Sequence, residues 1–312
     1  MTRADLDSGR VRIPVTTETK SLLPSERTRI EVVLKGLALG LCAYNPRFEG
    51  GHERSGVISV GNALREHVAE NEVLPLVVNR AGVVYVGDRG SKLRIAQWVE
   101  TKSAQLDAQL LRATPTLADF VEGRALDWRA PRLAFDFREL SADLWTELEL
   151  PPPDPATDGF WPSRQPHWDA VAVAEGPHDT RGVVLVEAKS HLNELGSSCA
   201  ASSSESRDTI WRSLAAAKKY LGTVDHPDWM SGYYQAANRL AFLYYLRARR
   251  NIPTWLFFVY FVGDEFEVDG VPQDCPGSKE GWQPALNAMH AALGLPECHP
   301  LTHFTKDVFL PA

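Results

Sequence analysis

The clearest patterning lies in the second half of the chain. Asp169–Ala174 reads Asp-Ala-Val-Ala-Val-Ala, and Gly182–Lys189 reads Gly-Val-Val-Leu-Val-Glu-Ala-Lys. Between them stand the turn residues Glu175-Gly176-Pro177-His178-Asp179. Two short β-branched runs around a Gly-Pro turn predict the strands of a hairpin. Trp255–Val262 is apolar at every position, which predicts a central strand buried on both faces. Helical spacing predicts helices over Arg207–Leu221, Tyr233–Arg249 and Gln283–Leu293, the last closed by Gly294. Ser197–Ser206 is a serine-rich loop. Upstream, Leu140, Leu144, Trp145 and Leu148 place one apolar face on a helix over Arg138–Leu148. The stretch Pro151-Pro152-Pro153-Asp154-Pro155 after it is a stiff surface loop. A hairpin followed by helices and a buried strand predicts a mixed α/β domain over residues 136–312.

The first 135 residues read as a separate α+β accessory or recognition region. Residues 1–24 are polar and irregular, as in a loose arm. Ser25 is a good N-cap with Glu26 behind it, and Ile30, Val33, Leu34, Leu37 and Leu41 fit a helical period, so a helix is expected up to Asn45–Gly51. A short helix over Asn62–Glu72 follows. Leu74–Val78 and Val83–Val86 form a hairpin around Asn79-Arg80-Ala81-Gly82. Leu93–Leu111 reads as a helix with Ile95, Trp98 and Val99 facing a core. Gly87-Asp88-Arg89-Gly90-Ser91-Lys92 lacks the GxxxxGK[ST] spacing of a phosphate loop and reads as a turn.

Composition narrows the class. Hydrophobic residues make up 44% and charged residues 23% of 312, which suits a chain with a sizeable core. The longest apolar runs, Gly36–Tyr44 and Thr254–Val262, fall well short of the roughly 20 residues that span a bilayer. The N-terminal residues have no apolar stretch of the signal-peptide kind. A cytoplasmic protein with no membrane partner is therefore expected. Cys42, Cys199, Cys275 and Cys298 form no CxxC pair and read as reduced thiols. Cys298, His299 and His303 lack a fourth zinc ligand. The net charge of −7 argues against a protein that coats nucleic acid non-specifically. A local basic face is nevertheless available between Glu205 and Arg250, where eight cations (Arg207, Arg212, Lys218, Lys219, Arg239, Arg247, Arg249, Arg250) stand against four anions.

The candidate chemistry sits where the hairpin opens. Side chains alternate along a strand, so Glu187 and Lys189 share a face. Burying a Glu and a Lys at the end of an apolar strand requires partners. If the two strands pair through the turn at 175–181, Asp169 arrives beside them. Two carboxylates close together call for a cation between them, and Mg²⁺ suits an all-oxygen site that keeps several waters. A metal to polarise a phosphoryl oxygen, a water as nucleophile and a lysine for charge stabilisation make a set fitted to phosphodiester hydrolysis.

Asp169, followed after seventeen residues by Glu187-Ala188-Lys189, resembles the PD-(D/E)xK motif of the restriction-endonuclease-like nucleases. The order of elements is similar as well: a helix, two motif-bearing strands, helices and a buried strand. The resemblance covers roughly residues 138–262. It implies a restriction-endonuclease-like mixed sheet flanked by helices. It also implies Asp169 and Glu187 as ligands to Mg²⁺ or Mn²⁺, and Lys189 acting on the attacking water. DNA is the substrate it implies first, with RNA as an alternative, and it leaves room for a homodimer. The motif's proline usually stands directly before the Asp; here Trp168 does, and the proline is Pro166. Some exonuclease-like branches carry a glutamine at the start of the following helix. Gln235 matches it, with Arg239 one turn on and on the same face. Gln235 thus joins the catalytic set, and Arg239, Lys218 and Lys219 are candidate substrate contacts. Glu147 and Glu149 are candidates for a further ligand. The alternative from another class is a non-catalytic nucleic-acid-binding or scaffold protein on the same fold.

Overall fold

The computed structural model describes residues 1–13, 23–35, 37–49, 52–53, 55–68, 70, 74, 76–78, 82–87, 90–131, 144–153, 158–163, 165–223, 227–265, 267–268 and 271–312. The protein is mixed α/β, and its chain divides into two compact units, Met1–Arg89 and Gly90–Ala312.

The first unit contains helix α1 (Arg3–Ser8), strands β1 (Arg10–Ile13), β2 (Thr28–Leu34), β3 (Leu37–Asn45), β4 (Phe48–Glu49), β5 (His52–Glu53) and β6 (Gly56–Ser59), helix α2 (Ala63–His67), and strands β7 (Leu76–Val78) and β8 (Val84–Val86). Six of the strands form a sheet in the order β1-β6-β3-β2-β8-β7. The helix expected from Ser25 is instead the hairpin β2–β3, in which Ile30 pairs Cys42. The burial period is two: Ile30, Val32 and Leu34 are buried, whereas Leu37 and Leu41 are 43% and 63% exposed. The β-branched run Ile30-Glu31-Val32-Val33 packs better on a pleated surface than in a helix, where it loses side-chain freedom. The loose arm is also corrected over its described part, since α1 and β1 are ordered elements. Thr2 and Asp5 form a reciprocal capping box, and β1 pairs with β6. The hairpin β7–β8 forms as expected.

The second unit contains helices α3 (Ser91–Thr101), α4 (Ser103–Ala113) and α5 (Pro115–Val121), strand β9 (Asp127–Ala130), helix α6 (Leu144–Glu147), strands β10 (Ala170–Glu175) and β11 (Arg181–Lys189), helices α7 (Ser204–Leu221) and α8 (Tyr234–Tyr244), strands β12 (Thr254–Val262), β13 (Glu267–Val268) and β14 (Val271–Pro272), helix α9 (Lys279–Leu293), and strand β15 (Thr305–Pro311). Its main sheet has the order β15-β12-β11-β10-β9. β9, β10 and β11 are antiparallel neighbours, and β11, β12 and β15 run parallel. Alternation in Asp169–Ala174 sorts the side chains. Ala170, Ala172 and Ala174 pack towards Ile95, Leu106 and Leu117 of α3–α5. Val171 and Val173 pack towards Leu214, Leu240 and Leu286 of α7–α9. The sheet is thus sandwiched between two helical layers, and β12 is buried on both faces as its all-apolar sequence predicts.

The boundary expected at 135/136 lies instead at Arg89/Gly90. α3–α5 cover one face of the sheet and β9 extends it, so residues 90–131 belong to the same core as the motif strands. Nothing in the four-residue Asp-Trp-Arg-Ala strand signalled this, because so short a run carries no readable period. The helix expected over 93–111 is two helices that meet at the non-helical Lys102. Of the helix expected over 138–148, residues 144–147 are helical, and 138–143 lie outside the described residues.

Candidate active site

Three of the expected site residues come together because β10 is short. Its last recorded partner pair towards this end is Ala170 with Val186, so Asp169 stands one residue beyond the ladder. A longer strand would take the Ala188 N–H with a backbone carbonyl. Here the Asp169 carboxylate takes it, with Oδ2 2.7 Å from the Ala188 nitrogen. This fixes Asp169 across from Glu187 and Lys189, on the face that Val171, Val183 and Leu185 present to α7–α9.

Glu187 lies on this buried floor, only 2% exposed. Its Oε1 accepts from Lys189 Nζ at 2.5 Å and its Oε2 from Arg239 Nε at 2.6 Å. Lys189 Nζ also donates to Gln235 Oε1 at 3.1 Å. Gln235 and Arg239 reach the floor from one face of α8, whose first turn is tied to the loop after β11. Gln235 N donates to Ser197 Oγ at 2.8 Å and Tyr234 N to the Ser197 carbonyl. Arg239 is held on every side. Its Nη1 donates to Asn238 Oδ1 at 2.7 Å, its Nη2 to the His167 carbonyl, and its guanidinium lies 4.6 Å from the ring centre of Trp168. Asp169, Glu187, Lys189, Gln235 and Arg239 all line one cavity of about 870 Å³.

Burial and the neighbouring Glu187 push the Asp169 carboxyl up to about 7, against the opposing pull of Lys189. Burial acts on Glu187 in the same sense, but the Arg239 and Lys189 cations outweigh it and hold its carboxyl below the usual range. Lys189 loses solvation too, yet the Glu187 and Asp169 carboxylates keep its ammonium charged. At neutral pH the floor therefore has one firmly ionised acid, two cations, and one acid close to half-protonated.

Other expected residues are placed elsewhere. Lys218 and Lys219 do not line the cavity; Lys218 Nζ binds the Pro227 carbonyl at 2.9 Å, and Lys219 is exposed. The cations expected as one basic face are dispersed. Arg247 donates to the Thr254 carbonyl and stacks on Phe304, and Arg250 donates to the Pro151 carbonyl and Tyr245. Glu149 pairs with Arg129 and Arg181, and neither it nor Glu147 lines the cavity. Among the described residues no group of three or more His, Cys, Asp or Glu side chains is arranged to hold a metal, Cys298 and its neighbouring histidines included. The carboxylate donors at the floor are Asp169 and Glu187. Sequence reasoning missed Trp168, Asn238 and the His167 carbonyl as partners of Arg239; Asn238, three residues after Gln235 on an apolar helix, was the one readable signal.

No known family model, characterised protein or solved structure matches the chain. Among the described residues no helix is long and apolar enough to cross a membrane.

Proposed function

We propose that the second unit is a divalent-metal-dependent nuclease of the PD-(D/E)xK type, hydrolysing phosphodiester bonds, DNA first. The observation that carries this reading is the convergence of Asp169, Glu187 and Lys189 with Gln235 and Arg239 on one cavity. The donor set fits Mg²⁺ or Mn²⁺, because a Mg²⁺ site needs only one or two carboxylates and keeps its remaining waters. Asp169 accepts from Ala188 through one oxygen and lines the cavity. Asp169 and Glu187 would hold the ion, which supplies polarisation of a phosphoryl oxygen and a more acidic water. The chain's own contribution is electrostatic. Lys189 keeps a fixed positive charge beside the reacting group. Gln235 orients that ammonium, and Arg239 holds Glu187 in place.

One observation favours a second reading, a binding or scaffold protein. Both oxygens of Glu187 are already occupied by cations, as in a purely structural ion cluster. The two readings separate in a cleavage assay on single- and double-stranded DNA and RNA with Mg²⁺, Mn²⁺ or EDTA. The nuclease reading expects metal-dependent cutting that Asp169→Asn abolishes. Failure to cut any of these substrates at high protein and low salt leaves the binding reading in possession.

A thermal prediction follows from Asp169. An acid whose folded-state pKa is raised stabilises the fold while protonated, and that stabilisation is lost as pH climbs from about 4 through about 7. Without divalent ions, Asp169→Asn should therefore raise the melting temperature at pH 8 and change it little at pH 4. Millimolar Mg²⁺ should stabilise the wild type more at pH 8 than at pH 6, and should not stabilise the variant. Equal Mg²⁺ shifts in the two proteins would place the ion elsewhere.

A further inference from the structure

Helix α7 borders the cavity with one stripe and presents an unusual neighbour stripe to solvent. Ser203, Ser206 and Ile210 line the cavity. About 100° round the helix lie Arg207 and Trp211, at i and i+4 and so side by side. Trp211 is 59% exposed and among the described residues makes no aromatic or cation–π contact, whereas Tyr220 on the same helix packs on Tyr244 at 4.9 Å. Arg212, a further 100° round and away from the cavity-lining residues, donates instead to Asp208 O and Thr209 Oγ1 of its own helix. A large flat ring, mostly exposed to solvent and on the helix that borders the candidate chemistry, is a surface suited to a partner with a π-face.

We propose that this stripe is the entry track for single-stranded nucleic acid, with Trp211 as a stacking platform for a base and Arg207 as a contact to the adjoining phosphate. The inference rests on the nuclease reading and names the form of its substrate. Three features favour a single strand. A duplex hides its base faces in the stack, whereas an unpaired base offers one to Trp211. Arg207, with Asp228 near it, is too little positive charge for the many phosphate contacts that hold a duplex, whereas stacking a base on Trp211 needs few of them. The floor carrying Glu187 and Lys189 is recessed, at 2% and 8% exposure, and a slender strand reaches it without unpairing.

The test is fluorescence anisotropy of the full chain with a labelled single-stranded oligodeoxynucleotide of about 12 residues, Ca²⁺ replacing Mg²⁺, alongside the same sequence as a duplex. Trp211→Ala should raise the single-strand Kd by roughly ten- to a hundredfold. Trp211→Tyr should restore most of the affinity, and the weaker duplex binding should be unaffected. Because Trp211 is exposed, circular dichroism and the Mg²⁺-dependent melting shift should be those of the wild type. Cleavage with Mg²⁺ by both proteins, at equal KM and equal single-strand Kd, overturns the track and leaves the nuclease reading standing. Tighter duplex than single-strand binding also overturns it. No cleavage and no binding overturns both.

Discussion

Replacing Lys189 by methionine is expected to lower kcat for metal-dependent phosphodiester cleavage by roughly 10²–10³-fold while leaving the fold and KM nearly unchanged. Lys189 is 8% exposed and its ammonium lies 2.5 Å from Glu187 and 3.1 Å from Gln235. Both contacts hold the charge in place before any substrate arrives, so no reorganisation is needed when negative charge develops on the phosphoryl group. A group that acts mainly on the transition state changes kcat more than binding. Methionine keeps the aliphatic volume, and Glu187 retains Arg239 at 2.6 Å, so the buried carboxylate still has a cation. The check is steady-state kinetics of wild type and variant with matched circular dichroism and matched Mg²⁺-dependent melting shifts. Equal kcat in the two proteins would remove Lys189 from the reaction. Loss of the Mg²⁺ shift in the variant would make it a support for the acids instead.

The motif strands were legible because they obey one rule at a time. The short apolar run Asp169–Ala174 and the β-branched run Gly182–Lys189 mark two strands about one turn, alternation puts Glu187 and Lys189 on one face, and pairing through that turn brings Asp169 beside them. Gln235 was expected only through the resemblance, since a polar residue at a helix start carries no signal of its own. The hairpin at β2–β3 was misread because Ile30, Val33, Leu34, Leu37 and Leu41 satisfy a helical period by coincidence, and propensity alone separates the two periods. The unit boundary was misread because β9 and α3–α5 join the sheet through long-range packing, which leaves no local mark. Lys218 and Lys219 were chosen from charge alone; their position on α7, two turns and more past the cavity-lining Ile210, decides the matter. Trp211 carries no local mark either: it is one aromatic among several on the helices, and only its 59% exposure separates it from buried Phe242 and Tyr245.

Arg239→Ala is expected to be the most destabilising single change in the candidate site, by about 3–5 kcal/mol. The residue is 3% exposed, and it serves four partners at once: Glu187, Asn238, the His167 carbonyl and the ring of Trp168. His167 and Trp168 lead directly into Asp169, and Glu187 lies on the neighbouring strand. One guanidinium therefore ties both carboxylate-bearing segments to α8. Removing it leaves Glu187 with Lys189 alone, strands a buried amide oxygen and a backbone carbonyl, and opens a void beside Trp168. Lysine should not rescue the loss, because an ammonium cannot reproduce the planar fork or the stacking. The pH dependence follows from Glu187. Arg239 helps hold that carboxyl below its ordinary pKa, and the resulting stabilisation is present above the unfolded value of about 4.5 and lost as pH falls through the folded one. The gap in stability between wild type and Arg239→Ala should accordingly be widest near neutral pH and narrow under acid conditions. Urea unfolding at pH 7 and at pH 3 measures it. A gap of the same size at both pH values would mean that Arg239 acts through packing on Trp168 and not through its charge on Glu187.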